Sequence, residues 1–451
     1  MGRGPSTYIT QKQLNGFADA FNASPKNRLS MNAVTKNPVH SVALSREVVS
    51  RMDHTFSHKL ASNKATSQEH SGRCWLFSGL NVLRAEAMKN MNMKEFELSQ
   101  SYQMFWDKLE KSNYFLESVI TTLDEPIDGR LFMFLLKDPL QDGGQWDMFI
   151  NLVKKYGIVP KSVMPETESS SNSRVMNLLI TKKLREYAAQ LRRLHEEGNG
   201  IDALRERKEE MLAVVYRMLA IHLGQPPRSF FWQWHDKDEK FHRAGEITPQ
   251  EFFKRYVNYD LDSIACLINC PTADKPFDKL YTVEYLGNVV DGQIIRYLNV
   301  EMPVFKQAAV EMIKAGRAVW FGCDVGKMME RDLGILDMEV YDYGLVYDAE
   351  FESDKAERVD YGQSVMTHAM VLTGVDLDES GAPRKWRVEN SWGDKLGDKG
   401  FFVMSDRWFD EFMYEVAIDK AFLSPELLAV LDTEPIRLHP WDPMGSLAIA
   451  A

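Results

Sequence analysis

The hydrophobic pattern changes along the chain, from helical periodicity through most of the first 290 residues to short strand-like runs after them. One helical face recurs at i, i+4, i+7 and i+11 and consists of Leu76, Leu80, Leu83 and Ala87. The later runs, rich in Val, Phe and Trp, are residues 318–322, 365–372, 385–388 and 401–404. A helix-rich first part followed by a strand-rich last part predicts an α+β fold.

A strongly helical segment, residues 175–223, lies between these two parts and follows a polar linker at residues 166–174. Gly-Asn-Gly at residues 198–200 predicts a break between two helices. We therefore expect a helical insertion at residues 171–299. It separates a helical part, residues 1–170, from a strand-rich part, residues 300–451.

Composition excludes several classes of protein. Hydrophobic residues make up 44% of the 451 residues, which excludes wholesale disorder. The net charge of −11 argues against a nucleic-acid partner, because such binders are usually basic. No run of 18 apolar residues and no apolar N-terminus occur, so neither a membrane span nor a secretory signal is expected.

Four cysteines are too few for a disulfide scaffold, and none forms a C-x-x-C pair typical of zinc sites. Free thiols indicate a reducing compartment, so we expect a cytoplasmic protein. Because no cluster of metal ligands is visible in the sequence, we expect neither a metal nor a cofactor. A lone cysteine is more often a small buried hydrophobe, and that interpretation is kept for Cys266, Cys270 and Cys323.

Cys74 is different because it stands at the first turn of the predicted helix. The partial positive charge of a helix N-terminus favours the thiolate, which is the nucleophilic form. Gln68, six residues upstream, can donate its amide to an oxyanion, with the Cys74 backbone N–H as the second donor.

A nucleophile needs a base, and of the ten histidines only His368 starts a strand-like run. A lone histidine there is more often structural. Here Asn-Ser-Trp-Gly follows at residues 390–393, at the end of another such run. Asn390 can accept the imidazole N–H and fix its tautomer, and Trp392 can shield that bond from water.

Gln-x5-Cys-Trp, a distant His-Ala and Asn-Ser-Trp-Gly, in this order, resemble the papain superfamily of cysteine peptidases. The resemblance implies an oxyanion donor, a nucleophile, a base and an orienting residue, namely Gln68, Cys74, His368 and Asn390. Gln-Asp-Gly-Gly at residues 141–144 resembles the segment that lines the substrate cleft, so Gly143, Gly144 and Trp392 are expected to contact substrate.

Longer blocks are similar to the branch that contains bleomycin hydrolase and the bacterial aminopeptidase C: Ser-Gly-Arg-Cys-Trp, residues 105–115, Gln-Asp-Gly-Gly-Gln-Trp and residues 440–445. This resemblance spans about residues 8–448. It implies a papain-like fold with a helical insertion, and a cytosolic homohexameric cysteine aminopeptidase acting on peptides.

In that branch the C-terminal tail is thought to lie in the cleft, so Ala448 is expected beside the amino end of the substrate. Residues 449–451 extend further, and we expect them to be trimmed, with a displaced terminal charge as the alternative.

Two other functions are alternatives for such a sequence: a hexameric nucleic-acid-binding or scaffold cage with a vestigial site, and a Cys-His acyltransferase. The complete set of four catalytic residues argues against a vestigial site. Asn390, rather than an aspartate, favours a papain-type peptidase over a transglutaminase-like acyltransferase.

Overall fold

The computed structural model describes residues 7–61 and 63–448. The α-helices, in chain order, are α1 Gln11–Ala23, α2 Pro25–Val34, α3 Val39–Ala43, α4 Arg46–Arg51, α5 Cys74–Met91, α6 Gln100–Thr121, α7 Arg130–Lys137, α8 Trp146–Tyr156, α9 Glu168–Ser171, α10 Arg174–Glu196, α11 Ile201–Leu223, α12 Pro249–Phe252, α13 Met302–Lys314, α14 Tyr343–Tyr347, α15 Lys355–Asp360, α16 Asp406–Phe412 and α17 Pro425–Leu431.

The β-strands are β1 His58–Lys59, β2 Phe230–His235, β3 Phe241–Ile247, β4 Ile264–Ile268, β5 Lys279–Val283, β6 Tyr297–Asn299, β7 Val319–Cys323, β8 Met329–Glu330, β9 Ile335–Leu336, β10 His368–Leu377, β11 Pro383–Glu389, β12 Phe401–Ser405, β13 Met413–Asp419 and β14 Ile436–Leu438. Among the described residues, no helix is long and apolar enough to cross a bilayer.

One large sheet forms the centre of the molecule, with strand order β14-β5-β6-β4-β13-β7-β10-β11-β12-β9-β8 and β1 paired to β10. Strands β7, β10 and β11 are antiparallel, and His368 pairs with Cys323. Because Glu389 pairs with Val371, the end of β11 lies near the start of β10. The register therefore places His368 and Asn390 at the same end of two neighbouring strands, β10 and β11.

Two hydrophobic cores cover the two faces of this sheet, and β4 shows how one strand serves both. Cys266 and Ile268 pack into the core beneath the helices of the first half of the chain. Ala265 and Leu267 pack into the other core, with α13 and α16. Alternating side chains thus bury both faces.

Helix α5 lies between the other helices and the sheet. Thirteen of its 18 residues are buried, so far more than the predicted stripe faces the core. The Ser78 hydroxyl donates to the Ala369 carbonyl at 3.0 Å, which joins the helix to β10. The first turn of α5 is thereby fixed beside the start of β10.

Helix α5 and strands β7, β10, β11 and β12 lie where the sequence predicted them, and the helix break at residues 198–200 is confirmed by α10 and α11. The predicted persistence of helical signals to about residue 290 is wrong, because strands β2 to β5 occupy much of the chain between Phe230 and Val283. Strand β4 is buried at every position, and such a run lacks the alternation that identifies a strand. The linker at residues 166–174 contains the short helix α9.

The insertion boundaries, residues 171–299, stay a prediction. Within them, α10, α11 and the two-stranded sheet of β2 and β3 are separate from the large sheet, whereas β4, β5 and β6 belong to it.

Two carboxyl groups are buried between α8 and the sheet. Burial, together with the nearby charge of Asp147, raises the pKa of Glu415 to about 8. Burial likewise raises the pKa of Asp147 to about 6. Both groups are therefore held in their neutral forms to a higher pH than in an unfolded chain.

This arrangement predicts that the free energy of unfolding falls as the pH rises. The folded pKa of Glu415 exceeds its ordinary value of 4.5, so between pH 4.5 and about 8 the folded chain retains a proton that the unfolded chain loses. Denaturant midpoints at pH 5 and pH 8 should therefore differ less in Glu415→Gln than in the original chain. The exposed Glu206→Gln is the control. An undiminished difference in Glu415→Gln would contradict the assignment.

Candidate active site

Cys74 is the first residue of α5 and is completely buried. Burial raises the pKa of its thiol to about 12, while backbone hydrogen bonds involving Ala369, Trp75 and Cys74 itself oppose the shift. The helix N-terminus favours the thiolate, whereas this loss of solvation, which the sequence does not reveal, disfavours it. A thiolate at this position therefore requires a compensating cation.

His368 and Asn390 are in direct contact, with 2.9 Å between the imidazole Nε2 and the amide Oδ1. The Ser391 backbone N–H donates to the same Oδ1 at 2.8 Å, which fixes the orientation of the amide. Because Oδ1 can only accept, the imidazole hydrogen lies on Nε2. Nδ1 is then the nitrogen that can take up or release a proton.

Trp392 packs against this pair. Its ring centroid lies 4.8 Å from that of His368, with an angle of 34° between the rings. On its other side the indole contacts Phe402 edge to face at 6.0 Å. The indole therefore packs on the imidazole that contacts Asn390, and its role as a cover over that bond stays a prediction.

Gln68 joins the loop before Cys74 to the loop that carries Asn390. Its Nε2 donates to the Ser71 carbonyl at 2.6 Å, and its Oε1 accepts the Ser391 hydroxyl at 2.6 Å. The Gln68 backbone N–H also donates to the Ser391 carbonyl at 2.8 Å. An amide nitrogen carries two hydrogens, so Gln68 can donate to Ser71 and to a second acceptor at once.

The C-terminal segment lies against the predicted substrate segment at residues 141–144. The Gly144 N–H donates to the Ala448 carbonyl at 3.4 Å, and the Ala448 N–H donates to the Gly144 carbonyl at 3.3 Å. Ala448 is fully buried. Gln145 holds the Ser446 carbonyl at 2.6 Å. The tail therefore pairs with the Gly-Gly segment as an antiparallel strand does.

Position 144 requires a glycine. A Cβ there would stand 2.4 Å from the ring of Trp75, which is itself fully buried. A larger residue would displace the indole or the strand that pairs with Ala448.

The tail is also anchored outside the cleft. The Arg130 guanidinium lies 3.8 Å from the centroid of the Trp441 ring, and His439 stacks on that ring at 5.1 Å. Lys275 pairs with Asp442 at 3.0 Å. The predictions about residues 449–451 concern positions outside the described residues.

Sequence reasoning missed two buried lysines of α6 that support the Gly-Gly segment. Lys108 pairs with Asp142 at 2.6 Å, and Lys111 donates to the Gly143 carbonyl at 2.6 Å. Their i, i+3 spacing within the block at residues 105–115 was the available signal. Lysine is rarely buried unless it is paired, so this spacing alone does not predict two buried side chains.

Comparison with known proteins agrees with this geometry. The model of the peptidase C1-like family matches residues 8–445. The aminopeptidase C of Listeria monocytogenes is 46% identical over 443 residues, covering 98% of this chain and 100% of the relative. Human bleomycin hydrolase is 42% identical over 452 residues, covering 98% of this chain and 99% of the relative.

The crystal structure of PepW from Lactobacillus rhamnosis HN001 is 49% identical and superposes with a TM-score of 0.97, covering 98% of this chain and 100% of that one. These similarities confirm the predicted resemblance and the papain-like α+β fold. The chain belongs to the peptidase C1-like family, alongside aminopeptidase C and bleomycin hydrolase, and is a papain-like cysteine peptidase.

Proposed function

We propose that the chain is an aminopeptidase that removes residues from the N-terminus of peptides through an acyl-enzyme on Cys74. The observation that carries the choice of an aminopeptidase is the pairing of Ala448 with Gly144, in the segment expected to line the substrate cleft. Relatives named aminopeptidase C, at 46–48% identity over 98% of this chain, support it.

In the proposed reaction the Cys74 thiolate attacks the first peptide carbonyl, and His368 as the imidazolium donates its proton to the leaving amine. A sulfur–carbon bond forms as the carbon–nitrogen bond breaks. Water then attacks the thioester, gives its proton to His368 and releases the free amino acid. The Gln68 amide and the Cys74 backbone N–H stabilise the oxyanion in both steps.

The imidazolium also provides the cation that the buried thiolate needs. Burial raises the pKa of Cys74, so the thiolate forms only together with a positive charge on His368. Asn390 keeps the imidazole hydrogen on Nε2 and directs Nδ1 toward the reaction. This chemistry uses side chains and backbone of the chain alone, without a metal or cofactor.

The tail limits which part of a peptide can bind. An extended substrate on this side of the cleft would use the N–H and the carbonyl of Gly144, and Ala448 occupies both. A polypeptide then cannot pass through the cleft, and only its amino end fits. A papain-like cleft is thereby restricted to N-terminal cleavage.

Cys74→Ala should abolish hydrolysis of an aminoacyl fluorophore, because no other group can form the acyl-enzyme. Gln68→Ala should lower kcat by about 10²–10³, the usual cost of one oxyanion donor. Cys270→Ala, which removes another buried thiol, is the matched control and should retain activity. A thiol alkylator should abolish activity, and a chelator should not. Substantial turnover by Cys74→Ala would refute the mechanism.

Deleting residues 441–451 should open the cleft and allow internal cleavage of an N-acetylated peptide, with the products mapped by mass spectrometry. Deleting only residues 449–451 keeps the pairing of Ala448 with Gly144, so that variant should still require a free amine. If the longer deletion also leaves acetylated peptides intact, the tail is not the gate.

The proposal includes assembly as a homohexamer through the insertion at residues 171–299. Helix α10 supports it, because it exposes Val175, Leu178 and Leu179 by 59%, 64% and 45%, and exposed apolar patches commonly mark protein interfaces.

The cytoplasmic location stays a prediction, supported by four free cysteines. No observation on the described residues favours the nucleic-acid cage or the acyltransferase.

A further inference from the structure

The Asp142 carboxylate, which is 6% exposed, accepts four hydrogen bonds. Its Oδ2 accepts the Gly72 backbone N–H at 2.9 Å and also the Ser173 hydroxyl. Its Oδ1 accepts the Asn177 amide at 2.7 Å and the Lys108 ammonium at 2.6 Å. A carboxylate has about four lone-pair sites, so this one is saturated.

Besides Lys108 of α6, three separate parts of the molecule meet at this carboxylate. Gly72 lies in the nucleophile loop, which we define as residues 68–74 and which carries Gln68 and Cys74. Ser173 and Asn177 lie at the start of α10, where the predicted insertion begins. Asp142 itself belongs to the substrate segment, defined as residues 141–144. One carboxylate therefore joins the nucleophile loop, the substrate segment and α10.

The substrate segment is also held through its backbone carbonyl groups, which accept hydrogen bonds from two side chains. Lys111 donates to the carbonyls of Gly143 at 2.6 Å and Gln141 at 3.1 Å, and it pairs with Asp107 at 2.7 Å. The Trp75 indole N–H donates to the Asp142 carbonyl at 2.6 Å. The segment is thus fixed both to α6 and to the residue after Cys74.

Asp142 remains charged in this setting. Burial alone would raise its pKa, but Lys108 and the hydrogen bonds from Lys108, Ser173 and Asn177 together hold the pKa well below its usual range. The charge also acts on the nucleophile. The pKa of Cys74 is raised mainly by burial, and the negative charge of Asp142 raises it further.

We propose that Asp142 is a positioning residue of the peptidase: its carboxylate sets the nucleophile loop against the substrate segment and ties both to α10. This inference rests on the proposed function. Its benefit is geometric, because a misplacement of reacting groups by about 1 Å can cost about 10² in rate. Its charge acts in the opposite direction, against the Cys74 thiolate.

If Asp142 formed only a structural ion pair, its loss would lower stability but would change neither kcat nor the pKa of the Cys74 thiol. The test therefore measures both of these quantities. Asp142→Asn should lower kcat at least about tenfold. It should also move the midpoint for alkylation of Cys74 by iodoacetamide, followed by peptide mass spectrometry, to lower pH. The shift is expected because the negative charge that raises the pKa of the thiol is removed.

Asp419→Asn is the matched control. Asp419 is a largely buried carboxylate that likewise accepts an arginine, Arg317, a serine hydroxyl, Ser263, and a backbone N–H, that of Ala421. It lies at the far end of β13, so its loss should lower the melting temperature and leave both kcat and the alkylation midpoint unchanged. Unchanged kcat and midpoint in Asp142→Asn would overturn the proposal.

A second variant keeps the test decisive if Asp142→Asn does not fold. Ser173→Ala combined with Asn177→Ala leaves the ion pair with Lys108 and removes only the two bonds to α10. This double variant should fold and lose at least about threefold in kcat, and wild-type kcat would overturn the proposal. If the proposed function is wrong, the original chain will be inactive on the fluorophore. The alkylation midpoint needs no substrate, so it still tests the role of Asp142 in that case.

Discussion

Two hydrogen bonds between Gly144 and Ala448 are the contacts on which the proposed selection of substrates depends. They depend on a glycine, because the Trp75 ring leaves no space for a Cβ at position 144. They also depend on Lys111, which holds the adjacent Gly143 carbonyl. The position of the tail is therefore determined by the same residues that shape the substrate cleft. In the proposed function, this tail is what restricts the peptidase to N-terminal cleavage.

Opposing charges organise the rest of the site. A thiol as deeply buried as Cys74 does not ionise alone, and the Asp142 carboxylate opposes ionisation further. In the proposed mechanism, His368 supplies the compensating positive charge. The cost of burying Asp142 is offset by Lys108 and three hydrogen bonds. Geometry and charge thus act in different directions at Asp142, and only the geometric effect favours catalysis.

The sequence predicted the elements and contacts that local patterns encode. Helix α5 was predicted from its apolar spacing, and the contact between His368 and Asn390 from two short motifs. Strand β4 was missed because it is buried on both faces and shows no alternation. The role of Lys108 and Asp142 could not be predicted, since burial of an ion pair depends on α6 and the substrate segment meeting in three dimensions. The pairing of Ala448 with Gly144 was expected only by resemblance, because no local pattern links residues so distant in the sequence.

The most direct test of the account compares one aminoacyl fluorophore with its N-acetylated form on the unmodified chain. If the tail closes the cleft beyond the substrate's amine, kcat/KM should favour the free amine by at least about tenfold, equivalent to ~1.4 kcal/mol. Equal values of kcat/KM for the two substrates would contradict the claim that the pairing of Ala448 with Gly144 makes this peptidase an aminopeptidase.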